Sequence, residues 1–317
     1  MRRGFAILAL AVLSACGKPA ATPADETLAQ ARANFVSNTA SGTVGGGPVD
    51  VPPPEVFRLV RYPTPLGQMD AYLTPPPKDG PVRRPAIIWM TGGDSNSIND
   101  LWTPEPVSND QTAHAFRDAG MVMMFPSLRG GNLNPGHREG FYGEVNDVLS
   151  AADYLAALPY VDPARIYLGG HSTGGTLVLL TGEYSGRFRA VFAFGPVSHA
   201  ISYNGQFLPP GMTDPRELKL RSPVEWLTSI RSPVFVFEGD QKPSNQAAVE
   251  RMRSENTNPL AHFYLVHGAS HFSILAPTTA LVARKILADT GPTSNIDFTA
   301  EELNGLTFET PPPNPDP

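Results

Sequence analysis

Short apolar runs alternate with segments of helical spacing through the middle of the chain. The runs are residues 85–90 (PAIIWM), 121–125 (MVMMF), 166–168, 190–194, 234–237 and 263–266. Apolar positions recur with helical spacing between and after them, at residues 113–119, 144–158, 244–253 and 278–287. Because parallel neighbouring strands need crossover connections, this alternation predicts an α/β fold with a mostly parallel sheet wrapped by helices.

Two segments depart from this alternation. Residues 56–73 alternate apolar and polar positions around the turn Pro65-Leu66-Gly67, which is typical of an edge hairpin. Residues 197–230 are rich in Gly, Pro and polar residues. An insertion at that place lies over the carboxyl edge of the predicted sheet, so we expect it to form a short cap over a site there.

The most informative stretch, residues 165–180, carries a G-x-S-x-G pattern between a predicted strand and a predicted helix, at Gly170-His171-Ser172-Thr173-Gly174. Such a turn is so tight that the residues two positions before and two positions after the serine must lack side chains. It exposes the hydroxyl of Ser172 at the carboxyl end of the sheet and leaves the N–H of Thr173 ready to bind an oxyanion. A second oxyanion donor is expected in the loop after residues 85–90, at Gly93 or Asp94.

A serine nucleophile needs a base, and the base needs a third group that fixes its tautomer. His271 follows the last predicted strand and is the predicted base, whereas His267 at the strand end and His171 inside the turn are interpreted as structural. Asp240, just beyond the strand at 234–237, is the predicted acid. Glu238 is the alternative, and a third possibility is that this loop supplies no acid.

Several pieces of the chain, in this order, resemble the prolyl oligopeptidase-like group of α/β-hydrolases. They are Pro126–Gly131, Gly143–Val148, Val161–Ile166, Gly170–Gly175 and Gly268–Phe272. The resemblance implies the α/β-hydrolase fold, with a mostly parallel, twisted sheet of about eight strands and helices on both faces. It also implies no cofactor, with Ser172 as nucleophile and His271 as base.

The chain departs from this family in two ways. The family's acid usually lies in a Gly-x-x-Asp after its strand, but here Asp240 follows Gly239 directly and Lys242 stands at the expected place. The family's oligopeptidases also carry a large propeller domain. The roughly 80 residues ahead of the sheet cannot supply one, because a single blade takes about 40 residues.

The amino terminus has the pattern of an export signal. Two arginines precede a short apolar stretch at residues 5–13, far below the roughly 20 residues of a spanning helix, and Leu13-Ser14-Ala15-Cys16 resembles a bacterial lipobox. Residues 1–15 are therefore predicted to be a lipoprotein signal peptide and Cys16 the lipidated residue of an exported, membrane-anchored protein on the periplasmic or cell-surface side. The alternative is an ordinary export signal with a chance cysteine.

The remaining boundaries follow from composition. Residues 16–54 are predicted to be a flexible tether, residues 55–290 the hydrolase domain and residues 291–317 a loosely ordered, Pro-rich tail. The net charge of −6, with no basic cluster beyond the first three residues, gives no indication of nucleic-acid binding. The histidines have no ligand-like spacing, so no metal site is predicted.

These features predict a serine hydrolase that cleaves a small-molecule ester or a peptide through a Ser-His-acid triad. An ester is favoured, because no pocket for a peptide chain is evident in the sequence. The alternatives are a prolyl-oligopeptidase-like peptidase acting on short peptides, and a non-catalytic, surface-anchored binding module whose triad has degenerated, as Lys242 at the acid's expected place suggests.

Overall fold

The computed structural model of the chain describes residues 26–38, 43–80 and 82–309. In these residues eight strands form one sheet in the order β1-β2-β4-β3-β5-β6-β7-β8. The strands are β1 Arg58–Thr64, β2 Gly67–Leu73, β3 Arg84–Met90, β4 Val122–Pro126, β5 Val161–His171, β6 Val191–Phe194, β7 Val234–Gln241 and β8 Ala261–Ser270. Only the pairs β1–β2 and β2–β4 of this described sheet are antiparallel. The predicted mostly parallel sheet of about eight strands, with its edge hairpin, is confirmed.

Helices cover both faces of the sheet. They are α1 Leu28–Ala33, α2 Ala115–Asp118, α3 Glu144–Ala156, α4 Thr173–Tyr184, α5 Pro215–Lys219, α6 Gln246–Glu255, α7 Leu275–Ala288 and α8 Ala300–Asn304. Residues of α3, α4 and α6 enter a core on one face, and residues of α2, α7 and α8 enter a core on the other. In β5 the side chains alternate accordingly, with Ile166 and Leu168 in the first core and Tyr167 in the second.

The parallel strands place six loops at one edge of the sheet. The loops follow β3, β4, β5, β6, β7 and β8, and they begin near Thr91, Ser127, Ser172, Gly195, Lys242 and His271. Because the carboxyl ends of parallel strands meet at the same edge, this is where an open α/β sheet forms its ligand site. The predicted cap region, residues 197–230, contains α5 and three short 3₁₀ turns (Ala200–Tyr203, Pro223–Glu225 and Leu227–Ser229).

The structure differs from the predicted flexible tether at α1. Thr27 and Gln30 cap this helix reciprocally, Leu28 is fully buried, and its N–H donates to Ser229 Oγ at 3.0 Å. The guanidinium of Arg32 donates to the backbone carbonyls of Phe141, Tyr142 and Leu220 at 2.8–2.9 Å, which joins the segment to the cap. Low average apolar content concealed this contact, because two side chains carry it.

The carboxyl-terminal segment also differs from the predicted loose tail. Phe298 is buried, and its ring packs edge-on against Phe235 and Phe237 and near Tyr264, with centroid distances of 5.0–5.9 Å. Thr299 caps the following helix α8. Packing therefore continues well beyond the predicted domain boundary at residue 290.

The predicted signal peptide and the lipidated Cys16 lie outside the described residues, as do residues 310–317 of the predicted tail. Within the described ranges, no helix combines the length and apolar character needed to cross a bilayer.

Candidate active site

Ser172 lies at a strained turn between β5 and α4. Its backbone has φ 56° and ψ −113°, a region that non-glycine residues rarely occupy, and its N–H donates to the Phe194 carbonyl of β6 at 2.8 Å. A Cβ on Gly174 would lie 2.3 Å from the Met90 carbonyl oxygen. The turn therefore needs a residue without a side chain at that position, and Ser172 remains partly exposed at the sheet edge.

The predicted oxyanion residues lie together beside Ser172. Thr173 is the first residue of α4, so its N–H has no acceptor within its own helix. Its hydroxyl donates to the Gly93 carbonyl at 2.8 Å and ties the loop after β3 to the start of α4. The carboxylate of Asp94 in this loop accepts from Arg138 at 2.6 Å.

His271 contacts a buried carboxylate through Nδ1, and that carboxylate belongs to Glu238. His271 Nδ1 lies 2.8 Å from Glu238 Oε2, and Glu238 has no exposed surface. The backbone N–H of Asn245 donates to the same oxygen at 3.2 Å, and that of Gly239 donates to Oε1 at 2.8 Å. Since every partner of this carboxylate is a donor, His271 carries its proton on Nδ1, which leaves Nε2 as the basic nitrogen.

Asp240, the predicted acid, contacts a different histidine. Its Oδ2 lies 2.7 Å from Nδ1 of His267, whose side chain is 83% exposed, and its Oδ1 accepts from the Gly268 N–H at 2.9 Å. Burial alone would raise the pKa of Asp240, but these hydrogen bonds, with one from Gln241, hold it below its ordinary value. The prediction is corrected here, because Glu238 holds the position beside His271 that was assigned to Asp240.

The reason is that β7 is longer than its apolar run. The strand continues past residue 237 to Gln241, and its pairing with β8 shifts register between Gly239 and Gln241. Glu238 is thus still within the regular ladder, whereas Asp240 lies at the irregularity. The apolar run ends at residue 237 although the buried part of the strand continues through Glu238 and Gly239, so the run could not show where the ladder ends.

Gly195 makes room for the histidine–carboxylate pair and was missed by the sequence reasoning. It follows β6 with φ 59°, and a Cβ there would lie 2.4 Å from His271 Cε1 and 2.8 Å from Glu238 Oε2. The available signal was a glycine directly after a predicted strand at the functional edge of the sheet.

The cap brings a tyrosine to the nucleophile. The hydroxyl of Tyr203 lies 2.8 Å from Thr176 Oγ1 and in hydrogen-bond contact with the Ser172 side chain. Burial raises the pKa of Tyr203 well above its ordinary value, so the hydroxyl is neutral. Its ring packs against Phe141 and Phe207, which line a cavity of about 240 Å³ beneath the cap. The sequence predicted the cap but not this residue.

The side chains at this edge of the sheet indicate which chemistry the site can perform. Among the described residues, no group of three or more His, Cys, Asp and Glu side chains could hold a metal ion. What the edge offers instead is a strained serine, a histidine held by a buried carboxylate, and backbone N–H groups at a helix start, which together are the components of acyl transfer.

Comparison with known proteins places this region in a family. Residues 107–242 match the prolyl oligopeptidase family. The matched stretch includes the strained turn at Ser172 and ends just beyond Glu238, so the predicted resemblance is confirmed.

Three of the proteins that this chain resembles are peptidases. Dipeptidyl-peptidase 5 of Porphyromonas gingivalis is 32% identical over 126 residues, which cover 38% of this chain and 18% of that protein. A puromycin-hydrolyzing peptidase of Mycobacterium tuberculosis superposes with a TM-score of 0.59 at 21% identity, over 76% of this chain and 40% of that one. Acylaminoacyl peptidase of Pyrococcus horikoshii gives 0.57 at 13% identity, over 78% and 44%.

These structural likenesses establish the α/β-hydrolase fold. This chain spans less than half the length of each of these three relatives. The family and its peptidase relatives support a peptidase-like hydrolase.

Proposed function

We propose that this protein is a serine peptidase that cleaves short peptides through an acyl-enzyme formed on Ser172. The observation that carries the proposal is the 2.8 Å contact between His271 Nδ1 and the fully buried Glu238. A histidine oriented by a buried carboxylate at the same sheet edge as a strained serine has the arrangement of a general base.

In the proposed reaction Ser172 Oγ attacks the scissile carbonyl while His271 Nε2 removes its proton. Glu238 stabilises the imidazolium that forms, and His271 then returns the proton to the leaving amine. The N–H of Thr173, with that of Gly93 or Asp94, stabilises the oxyanion, and each such donor contributes about 3–4 kcal/mol in the transition state. Water repeats the sequence on the acyl-enzyme and releases the acid.

A peptide is the preferred substrate because residues 107–242 match the prolyl oligopeptidase family and because dipeptidyl-peptidase 5 and the puromycin-hydrolyzing peptidase, which this chain resembles, are peptidases. The same groups can cleave an activated ester, so an esterase is the second outcome that the assays must separate. The non-catalytic alternative depended on Lys242 standing where the acid was expected. The 2.8 Å contact between Glu238 and His271 supports Glu238 as that acid and so argues against the non-catalytic alternative.

Two assays test the proposal. A fluorophosphonate should label the folded wild-type protein at Ser172, and Ser172→Ala should reduce both labelling and turnover to background. A panel of dipeptide and tripeptide anilides, run beside small acyl nitrophenyl esters, separates peptidase from esterase. Labelling that persists in Ser172→Ala would refute the nucleophile, and turnover of esters alone would refute the peptidase.

We also propose that the enzyme works outside the cytoplasm, held to a membrane by acyl chains on Cys16. The pattern Leu13-Ser14-Ala15-Cys16 after a short apolar stretch supports it. Metabolic labelling with a palmitate analogue should mark the wild type but not Cys16→Ser. Equal labelling of both would contradict the anchor.

A further inference from the structure

His171 contacts loops from two other parts of the chain. It is fully buried, and its backbone belongs to the turn that presents Ser172. Its Nε2 lies 2.9 Å from the His271 carbonyl oxygen, and the two imidazole rings have centroids 4.4 Å apart. Its Nδ1 lies 2.9 Å from Nε2 of Gln111, which is 60 residues away in sequence.

Gln111 extends this contact to the loop after β3. The N–H of Gly92 donates to Gln111 Oε1 at 3.1 Å, which fixes the orientation of the amide. Of the two hydrogens on Gln111 Nε2, one is donated to Asn109 Oδ1 at 2.8 Å. The backbone carbonyl of Gln111 accepts from Trp89 Nε1 at 3.0 Å. Gln111 is therefore held from both ends and has a single remaining donor for His171.

The donor and the acceptor in each of these hydrogen bonds can be assigned, beginning at the His271 carbonyl. A carbonyl oxygen can only accept, so His171 Nε2 carries the proton and donates to His271. Burial, with a smaller effect from His271, lowers the pKa of His171 to about 3, so the ring is neutral and its Nδ1 accepts from Gln111. The result is one continuous path: Gly92 N–H to Gln111, Gln111 to His171, and His171 to the His271 backbone.

We infer that Gln111 and His171 are positioning residues that fix the oxyanion loop and the loop of His271 relative to the nucleophile turn. Neither residue exchanges a proton with the proposed reacting groups, although the ring of His171 packs against that of His271. Gly92 directly precedes Gly93, so a displacement at Gln111 shifts the predicted oxyanion donors. His271 is anchored by its own carbonyl, so the same displacement also shifts the base. The inference rests on the proposed function, because it assigns a role in that reaction.

The test uses Gln111→Met in the full chain, because Met keeps the length of the side chain and forms none of these hydrogen bonds. Gln111 is only partly buried, so the fold should tolerate the change. We expect kcat and the rate of fluorophosphonate labelling to fall together by roughly 10- to 100-fold, with KM changed by less than about threefold, since misplaced groups impair the transition state more than binding. Gln246→Met, at a partly buried glutamine on α6 whose amide donates to Glu250, is the matched control and should behave as the wild type.

Three outcomes separate the possibilities. A purely structural role would lower the melting temperature and the fraction of protein that labels but leave kcat per labelled site unchanged, which would overturn the inference. An unchanged kcat in a folded variant would overturn the inference as well. An active wild type would in that case leave the proposed function intact. If the wild type neither labels nor turns over, the proposed function fails first and the inference with it.

A double-mutant cycle adds a second route. If Gln111 and His171 act as one path, His171→Phe should cost activity, and Gln111→Met should add little to it. Should Gln111→Met fail to fold, Gln111→Ala gives the same comparison with a smaller side chain. Fully additive losses in the cycle would show that the two residues act separately and would refute the path.

Discussion

Replacing Glu238 by Gln is the sharpest test of the acid assignment. The carboxylate accepts from three donors, namely the N–H groups of Gly239 and Asn245 and Nδ1 of His271. A glutamine side chain offers one oxygen and an NH₂ group, so one of these donors must face another donor. The shape of the site is kept, but its hydrogen-bonding pattern cannot be.

The expected loss can be worked from that mismatch. If the amide NH₂ faces His271, the imidazole must move its proton to Nε2, where it can no longer accept the proton of Ser172. The wrong tautomer lowers kcat by about 10⁴-fold in a serine triad, which corresponds to about 5 kcal/mol of transition-state stabilisation. If a backbone N–H is left unpaired instead, the buried group lowers stability by about 1–3 kcal/mol.

Asp240→Asn is the matched control. The change is of the same chemical kind two residues away, but Asp240 contacts His267 rather than His271. We expect its kcat/KM to stay within about threefold of the wild type. The assay is kcat/KM on the best peptide anilide together with the labelling rate, after circular dichroism has shown both variants folded. A large loss in Asp240→Asn beside a nearly active Glu238→Gln would refute the assignment.

Three further predictions concern room at the site, packing and pH. Gly195→Ala places a methyl group against His271 and should lower kcat/KM at least about 100-fold, whereas Gly205→Ala, also at positive φ but facing open space, should not. Phe298→Ala should lower the free energy of unfolding by about 3–5 kcal/mol in urea titrations, and a loss below about 1 kcal/mol would contradict its packing against three rings. Burial acts to raise the pKa of Asp289, but hydrogen bonds from Arg189 and Tyr167 hold that pKa below its ordinary value. Its stabilising effect should therefore be complete above about pH 4 and disappear as the pH falls further. Urea titrations of the wild type and Asp289→Asn should accordingly differ most near neutrality and converge in acid, and a constant difference would contradict the prediction.

The elements with strong local signals were predictable. Five of the eight strands in the described residues contain an uninterrupted apolar run that lies buried in the sheet, and α3 follows its helical spacing. The turn at Ser172 was predictable for a similar reason, because its geometry depends on residues within a few positions of the serine. The position of His271 after the last strand followed from the same order of strands.

The choice between Glu238 and Asp240 was not local. It depends on how far β7 continues its pairing with β8, and on the space that Gly195 leaves beside the histidine. Both are properties of neighbouring strands, and the apolar run at 234–237 carries no information about either. The sequence reasoning therefore kept both carboxylates as candidates and ranked them in the wrong order.

The sequence alone determined the succession of strands along the chain, the turn at Ser172, and Ser172 and His271 as the proposed nucleophile and base. Those features depend on the spacing of apolar residues and on glycines at fixed positions relative to the serine, and both act over short stretches of chain. Only the tertiary structure decided which carboxylate orients His271, that Tyr203 reaches Ser172, and that Gln111 joins His171. The physical reason is that a hydrogen bond tolerates a variation of only a few tenths of an ångström in the distance between donor and acceptor. These donors and acceptors are 27 to 60 residues apart in sequence, and only the packed sheet sets the distances between them.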